Sequence, residues 1–266
     1  HSIGIVYSMV TQYLGFKPGR HEGKITGLAA YGNEVNIKFP ITYDSKNNSF
    51  KTELVSSYIL RSNILSFLYF LLFSPKKLLI ALTTRATLSN HLITQKTLYY
   101  IAKNFAKISK EDVAYWVQSN TEKLLEKYTL NNLEIFNKKD LCVSGGLFAN
   151  VKLNRKLYDI PNLNNLFVMP NMGDGGLTYG AALYVANNYK YESNKCCFNN
   201  AYLGPSYKDS EIISSLLKAK LSYKKYNNYP LIIAKYLYEG MIIGRFTGKL
   251  EWGPRALGNR SILASA

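Results

Sequence analysis

Asp140-Leu141-Cys142-Val143-Ser144-Gly145-Gly146-Leu147-Phe148-Ala149-Asn150 runs a short apolar segment into two glycines and then into a helix-forming stretch. Residues 140–144 read as a buried strand, and Phe148 to Leu157 as a helix. The same order returns downstream. Leu166-Phe167-Val168-Met169-Pro170 reads as a strand, Gly173-Asp174-Gly175-Gly176 as a turn, and the Ala-rich Leu177 to Asn187 as a helix. Strand, glycine turn and helix occurring twice in succession mark an α/β fold. In such folds ligands sit at the carboxyl ends of strands, where loops meet helix N-termini.

The flanks read as follows. A helix spans Ile3 to Leu14, a turn follows at Phe16-Lys17-Pro18-Gly19, and a second short helix ends in Tyr31-Gly32. Gly32 is expected at the helix C′ position, with φ above zero. Residues 33–53 form a hairpin about Asp44-Ser45-Lys46-Asn47-Asn48, and 56–103 are mainly helix and loop. Ser109 caps a helix with Glu111 and Asp112 in its first turn, and that helix is expected to end near Tyr128. Beyond a connector at Tyr202–Ser206 come helices at Asp209–Leu217 and Leu231–Glu239 and a strand at Met241–Phe246. A Gly/Arg/Asn-rich loop then fills Thr247 to Ser261.

Composition bounds the function. Of 266 residues 47% are hydrophobic and 19% charged, which excludes a disordered tail. Lys+Arg 33 against Asp+Glu 17 gives a net charge of +16, which raises nucleic acid or an acidic membrane surface as a partner. The cations, however, are dispersed among Asn and Tyr rather than gathered in a stripe, so compositional bias accounts for them and neither partner is expected. The most apolar stretch, Ile64 to Phe73, is shorter than the ~20 residues that span a bilayer and is expected to be a buried helix of the core or of a subunit contact, with a membrane-surface helix as the alternative. The three cysteines, two of them adjacent at Cys196 and Cys197, build no disulfide framework, which favours a cytoplasmic setting. His1, His21 and His91 form no metal-binding pair by spacing. The chain opens at His1 without an initiator Met and stops within an ordered-looking segment, and we take it as a fragment of a longer protein.

Four motifs carry chemistry. In Ser144–Asn150 the paired glycines let a ligand approach the backbone, and Asn150, one turn into the helix, could bond a sugar hydroxyl or a phosphate; a structural turn is the alternative. In Asn171-Met172-Gly173-Asp174-Gly175-Gly176 the Asp174 carboxylate suits a divalent metal or phosphoryl chemistry, or else caps the next helix. Glu22-Gly23-Lys24 could reach a nucleotide, or form a surface ion pair. Gly248 to Ser261 gathers Lys249, Arg255, Asn259, Arg260 and Ser261 in one loop, an anion-binding candidate. Buried-type Trp252 and Leu257 beside the arginines argue against simple solvation.

In this order the motifs resemble the carbamoyltransferase family of the nodulation-factor and antibiotic-biosynthesis type. The residues that carry the resemblance are His1-Ser2-Ile3-Gly4-Ile5-Val6-Tyr7-Ser8, Glu22-Gly23-Lys24-Ile25-Thr26-Gly27-Leu28-Ala29-Ala30-Tyr31-Gly32, the two glycine loops, and Glu251-Trp252-Gly253-Pro254-Arg255-Ala256-Leu257-Gly258-Asn259-Arg260-Ser261. The last is the most specific, and 50–105 is the weakest part of the match.

The resemblance implies an α/β, actin/hexokinase-like (ribonuclease-H-like) ATPase domain of the threonylcarbamoyl-transfer type over residues 1–203. The start of a YrdC-like α/β domain would occupy 204–266. It implies an ATP-dependent O-carbamoyltransferase. Carbamoyl phosphate and ATP give carbamoyl-adenylate, and the carbamoyl group passes to a hydroxyl of a small metabolite or sugar. It further implies a divalent metal, Fe(II), held by Asp174, with Mg(II) accompanying the nucleotide. Gly145, Gly146, Asn150, Gly175, Gly176, Glu22 and Lys24 would be nucleotide contacts, with Asp174 and Asn150 catalytic. Arg255, Asn259, Arg260 and Ser261 would serve carbamoyl phosphate or the adenylate. A homodimer is allowed for. The family's paired metal histidines are absent from these 266 residues, so the chain alone is expected to be inactive. Another ATP-dependent enzyme of the same superfamily, or a non-enzymatic nucleic-acid-binding module, stands as the competing reading.

Overall fold

The computed structural model describes residues 2–55, 85–189, 198 and 200–265, with residues 55 and 85–92 described by backbone alone. The run Ile64–Phe73, His1 and the Cys196–Cys197 pair lie outside the described residues, and so does the His91 side chain.

The chain opens with α1 (Ile3–Tyr13), capped by Ser2, whose Oγ accepts the Gly4 N–H at 3.1 Å. Gly15, at φ +85°, ends it, a conformation open to glycine at little cost. Helix α2 (Glu22–Leu28) tightens into a 3₁₀ turn over Ala29–Tyr31. Strands β1 (Ile41–Asp44) and β2 (Ser49–Thr52) pair antiparallel from Ile41↔Thr52 to Asp44↔Ser49, about the expected turn. Then come α3 (Arg85–Phe105), α4 (Lys110–Ile135), β3 (Asp140–Val143), α5 (Val151–Tyr158) and β4 (Asn165–Val168), with β3 and β4 forming a two-stranded sheet. The chain continues through α6 (Leu177–Asn188), α7 (Asp209–Lys218) and α8 (Tyr229–Tyr238). It ends in β5 (Ile243–Phe246) and β6 (Arg260–Leu263), paired antiparallel from Ile243↔Leu263 to Phe246↔Arg260. The class is mixed α/β, with the strand–glycine–helix unit repeated.

Residues 1–167 and 168–266 form two compact units. In the first, α1 buries Val6 and Val10 against α3 and α4, each side chain contributing on the order of 1.5–3 kcal/mol. Trp116 of α4 lies between Phe39 and Phe105, at ring distances of 5.1 and 4.7 Å, and its Nε1 donates to the Ile37 carbonyl at 2.7 Å. The indole is thus apolar on its faces and satisfied at its one polar atom.

Several expectations need correction. Gly32 is extended, at φ −97°, and not left-handed. It is constrained instead by close approach, since a Cβ there would collide with the Glu111 carbonyl at the start of α4 and lie 2.8 Å from Tyr115 Cβ. Helix α4 passes Tyr128 and ends at Ile135, because Asn131 and Asn132 are held by the hairpin. Asn131 Nδ2 donates to Tyr43 Oη at 2.6 Å, and Asn48 Nδ2 donates to Asn132 Oδ1 at 3.0 Å. Strand β3 is not buried throughout: among its four residues Val143 alone is fully covered. Arg260 and Ser261 lie in β6 rather than in a loop, and Leu257 is 46% exposed.

Among the described residues no helix is long and apolar enough to cross a membrane.

Candidate functional site

In the first unit the turn after β3 begins at Gly145, whose φ of +114° is a glycine conformation. Its carbonyl accepts the Phe148 N–H at 3.0 Å, closing a 3₁₀ turn over Gly146–Ala149. A Cβ added at Gly146 would meet nothing within 4 Å, so the backbone there faces open space. A cavity of about 510 Å³ between the C-terminal half of α4 and β3, lined in part by Leu125, Tyr128 and Leu141, reaches Ser144 and Phe148 of this turn.

Asn150 stands at the N-cap of α5, not one turn inside it, and is 7% exposed. Its Oδ1 accepts the Leu153 N–H at 3.1 Å and Gln118 Nε2 at 3.3 Å, and its Nδ2 donates to Gln118 Oε1 at 2.7 Å. Tyr7 Oη also donates to Gln118 Oε1, at 2.7 Å, and lies 2.9 Å from Thr26 Oγ1. Tyr7 has one proton, so the Thr26 hydroxyl is the donor in that second contact. Gln118 Nε2 donates in turn to Glu122 Oε1 at 2.5 Å.

Glu22 and Lys24 turn to different partners. Glu22 Oε1 accepts Ser8 Oγ at 2.9 Å and the Gly19 N–H at 2.6 Å. Exposed Lys24 places its Nζ 5.6 Å from the centre of the Phe16 ring.

In the second unit Asp174 is exposed and opens a 3₁₀ turn into α6. Of the two glycines after it, Gly176 is required by close backbone approach, whereas Gly175 faces only the movable end of the Asn171 side chain. A Cβ on Gly176 would collide with the Asn171 carbonyl, and one on Gly175 would lie 2.5 Å from Asn171 Nδ2.

The Gly248–Arg260 loop folds on Glu251, a residue the sequence motif alone did not single out. Its Oε1 accepts three backbone N–H groups, from Leu257 at 3.0 Å, Asn259 at 2.6 Å and Arg260 at 3.2 Å. Loss of hydration raises the Glu251 pKa, but the backbone donors together outweigh that and hold it below the usual carboxylate value. Asn259 Nδ2 donates to the Lys249 carbonyl at 2.8 Å. The Arg260 guanidinium lies 3.4 Å from the centre of the Phe246 ring and donates to the Thr247 and Gly248 carbonyls at 2.6 and 3.2 Å. Ser261 pairs with Arg245 across β5 and β6, and Arg255 is half-buried in the loop.

This loop abuts the Asp174 loop. Gly253, at φ +122°, presses on the Pro170 carbonyl, where a Cβ would collide. The Trp252 ring packs 5.6 Å from Tyr179 of α6 and 5.8 Å from Phe198. Two of the sequence-predicted loops are therefore brought together within the second unit, and two others, the Glu22 helix and the Gly145 turn, are linked within the first through Gln118. Gln118 had one signal in the sequence, a polar residue beside the apolar stripe of Val113, Trp116 and Val117.

Among the described residues no three His, Cys, Asp or Glu side chains stand close enough to hold a metal ion. Asp174 supplies one carboxylate, so these residues do not by themselves fit a metal centre.

The chain matches two family models, Carbamoyltransferase N-terminus over residues 1–183 and Carbamoyltransferase C-terminus over residues 234–266. An uncharacterized protein of Methanocaldococcus jannaschii is 30% identical over 269 residues, covering 99% of this chain and 39% of the relative. Nodulation protein NolNO of Sinorhizobium fredii is 30% identical over 157 residues, covering 58% of this chain and 23% of its own length. Nodulation protein NolO of Bradyrhizobium diazoefficiens is 31% identical over 155 residues, covering 56% and 28%. The chain thus spans well under half the length of these relatives.

Proposed function

The chain belongs to the carbamoyltransferase family, and on that premise we propose that it is part of an ATP-dependent O-carbamoyltransferase acting on a hydroxyl of a small metabolite or sugar. The observation that carries the proposal is the family match over residues 1–183, which contains both glycine loops and the Glu22 helix. On this reading residues 1–203 belong to an actin/hexokinase-like ATPase domain and 204–266 open a YrdC-like one. Carbamoyl phosphate, water and ATP yield carbamoyl-adenylate with release of phosphate and pyrophosphate, and the acceptor hydroxyl then takes the carbamoyl group, forming the new C–O bond as AMP leaves and the hydroxyl proton is lost. The setting is cytoplasmic, with neither nucleic acid nor membrane as partner.

The Gly145–Gly146 backbone, open to a ligand at Gly146, is assigned to the nucleotide. Arg255 is assigned to the phosphate of carbamoyl phosphate or the adenylate, where a guanidinium recognises oxygens in pairs. Asn150, Glu22, Asn259 and Arg260 make their hydrogen bonds within the chain, so their proposed part is to hold these loops in shape. Asp174 is proposed as a ligand for a divalent metal whose other donors lie beyond the described residues. Such an ion would supply charge stabilisation for the phosphate oxygens.

The test uses protein expressed from its complete reading frame, given carbamoyl phosphate, ATP and Fe(II) with candidate acceptors. Carbamoylated acceptor should form, with a loss of about a hundredfold or more in Asp174→Ala. Full transfer activity in Asp174→Ala would remove the metal assignment, and failure to turn over carbamoyl phosphate at all would remove the function.

A further inference from the structure

Gln118 is buried to 1% exposure on the face of α4 that carries Ala114 and Leu125, where a leucine would fill the same space. A buried amide costs stability unless it is hydrogen-bonded, so its presence at such a position calls for partners. Gln118 has a full set. Its Oε1 accepts from Tyr7 Oη and Asn150 Nδ2, each at 2.7 Å. Its Nε2 donates to Glu122 Oε1 at 2.5 Å and Asn150 Oδ1 at 3.3 Å. Two acceptor sites and two donor protons are thereby filled, the complete capacity of a primary amide.

Two of the partners, Tyr7 and Asn150, come from motif segments distant in sequence, and Tyr7 reaches a third. Asn150 ends the turn that Gly145 begins, and the reciprocal amide pair fixes which way Asn150 faces while its Oδ1 also caps α5. Tyr7 belongs to α1 and reaches Thr26 of α2. The residue after it, Ser8, donates to Glu22, the first residue of α2. The Gly145 turn and the Glu22 helix therefore share one buried hub, although neither motif contains it.

We propose that Gln118 is a positioning residue that locks the Gly145–Asn150 turn to α1 and, through Tyr7, to α2, and so presets the backbone that meets the nucleotide. The proposal rests on the assignment of that turn to the nucleotide. An apolar residue of equal size keeps the packing, strands Asn150 Nδ2 without its acceptor and cuts Tyr7 Oη off from the hub, turning its proton to the Thr26 hydroxyl. The two groups then rotate toward other partners, and the turn and α2 move independently.

The experiment measures Mg-ATP affinity by titration calorimetry, and backbone hydrogen exchange, on protein from the complete reading frame. The variants are Gln118→Leu, Asn150→Ala, the two combined, and Val113→Ala as a packing control. Gln118→Leu is expected to weaken ATP binding about tenfold to a hundredfold. Exchange should quicken together at residues 145–153 and 22–28. The double variant should lose no more than about twofold beyond the worse single, since both act through one pair. Val113→Ala should lower the melting temperature with ATP affinity kept within about twofold. Tyr7→Phe, which removes one hydroxyl and keeps the ring, should weaken ATP in the same direction and serves if Gln118→Leu does not fold. Unchanged ATP affinity in the foldable variants, or losses that simply add, would overturn the positioning role. A wild-type protein that binds no ATP would overturn the nucleotide assignment and this proposal with it.

Discussion

Gly253→Ala tests the contact between the two loops of the second unit. The substitution carries two separable penalties. The backbone at φ +122° is one that L side chains rarely adopt, which costs on the order of 1–3 kcal/mol. The new Cβ also collides with the Pro170 carbonyl and lies 3.2 Å from the Asn171 nitrogen, an overpacking cost of about 1–3 kcal/mol against backbone that cannot rotate away. The sum is about 2–6 kcal/mol. Gly258→Ala is the internal reference. Its φ of +108° carries the strain, but nothing lies within 4 Å of a Cβ there, so it should cost only the first penalty. The assay is urea unfolding with pulsed hydrogen exchange, read on peptides from 168–183 and 247–263. Gly253→Ala should destabilise both peptides together, by about 1–3 kcal/mol more than Gly258→Ala. Equal effects of the two substitutions, or an effect confined to 247–263, would refute the packing of Gly253 on Pro170.

Three further outcomes follow from the same geometry. Gly32→Ala should lower stability by about 1–3 kcal/mol in a urea melt, through its clash with the Glu111 carbonyl and without any φ penalty. Trp116→Ala should cost about 3–5 kcal/mol in the same measurement, since it removes the ring between Phe39 and Phe105. The Glu251 carboxyl has a folded pKa below its unfolded value of about 4.3, so its stabilisation is present above that value and is lost as pH falls through the folded one. Limited proteolysis within 248–260 should therefore accelerate in the wild type as pH falls below the ordinary carboxylate value and change less in Glu251→Gln.

The parts of this fold legible in the sequence are those set by local chemistry. Ser109 capping α4 and the turn at Asp44–Asn48 both follow from short-range backbone preferences. The strand–glycine–helix repeat was legible for the same reason. What escaped was decided by distant residues. Asn131 and Asn132 look like helix-ending residues until the hairpin partners Tyr43 and Asn48 are known. Gly32 reads locally as a left-handed cap because the approach of α4 to it has no trace in the local sequence.

The candidate site divides the same way. Asn150 ahead of a helix suits a ligand contact and a cap equally well, and Gln118, on another helix, determines that its side chain faces inward. Arg260 reads in sequence as an anion-binding cation, but the Phe246 ring and the Thr247 and Gly248 carbonyls engage its guanidinium. Arg-rich motifs give charge type but not direction. Glu251 organises its loop through backbone N–H groups, which carry no sequence signal at all.

The most direct test of the account is pyrophosphate release from ATP by protein from the complete reading frame, measured with and without carbamoyl phosphate. The account predicts release that depends on carbamoyl phosphate and that falls when the glycine turn is blocked by Gly146→Val, a position where the added side chain meets no protein atom within 4 Å of its Cβ. Release that ignores carbamoyl phosphate, or that is untouched by Gly146→Val, would contradict it.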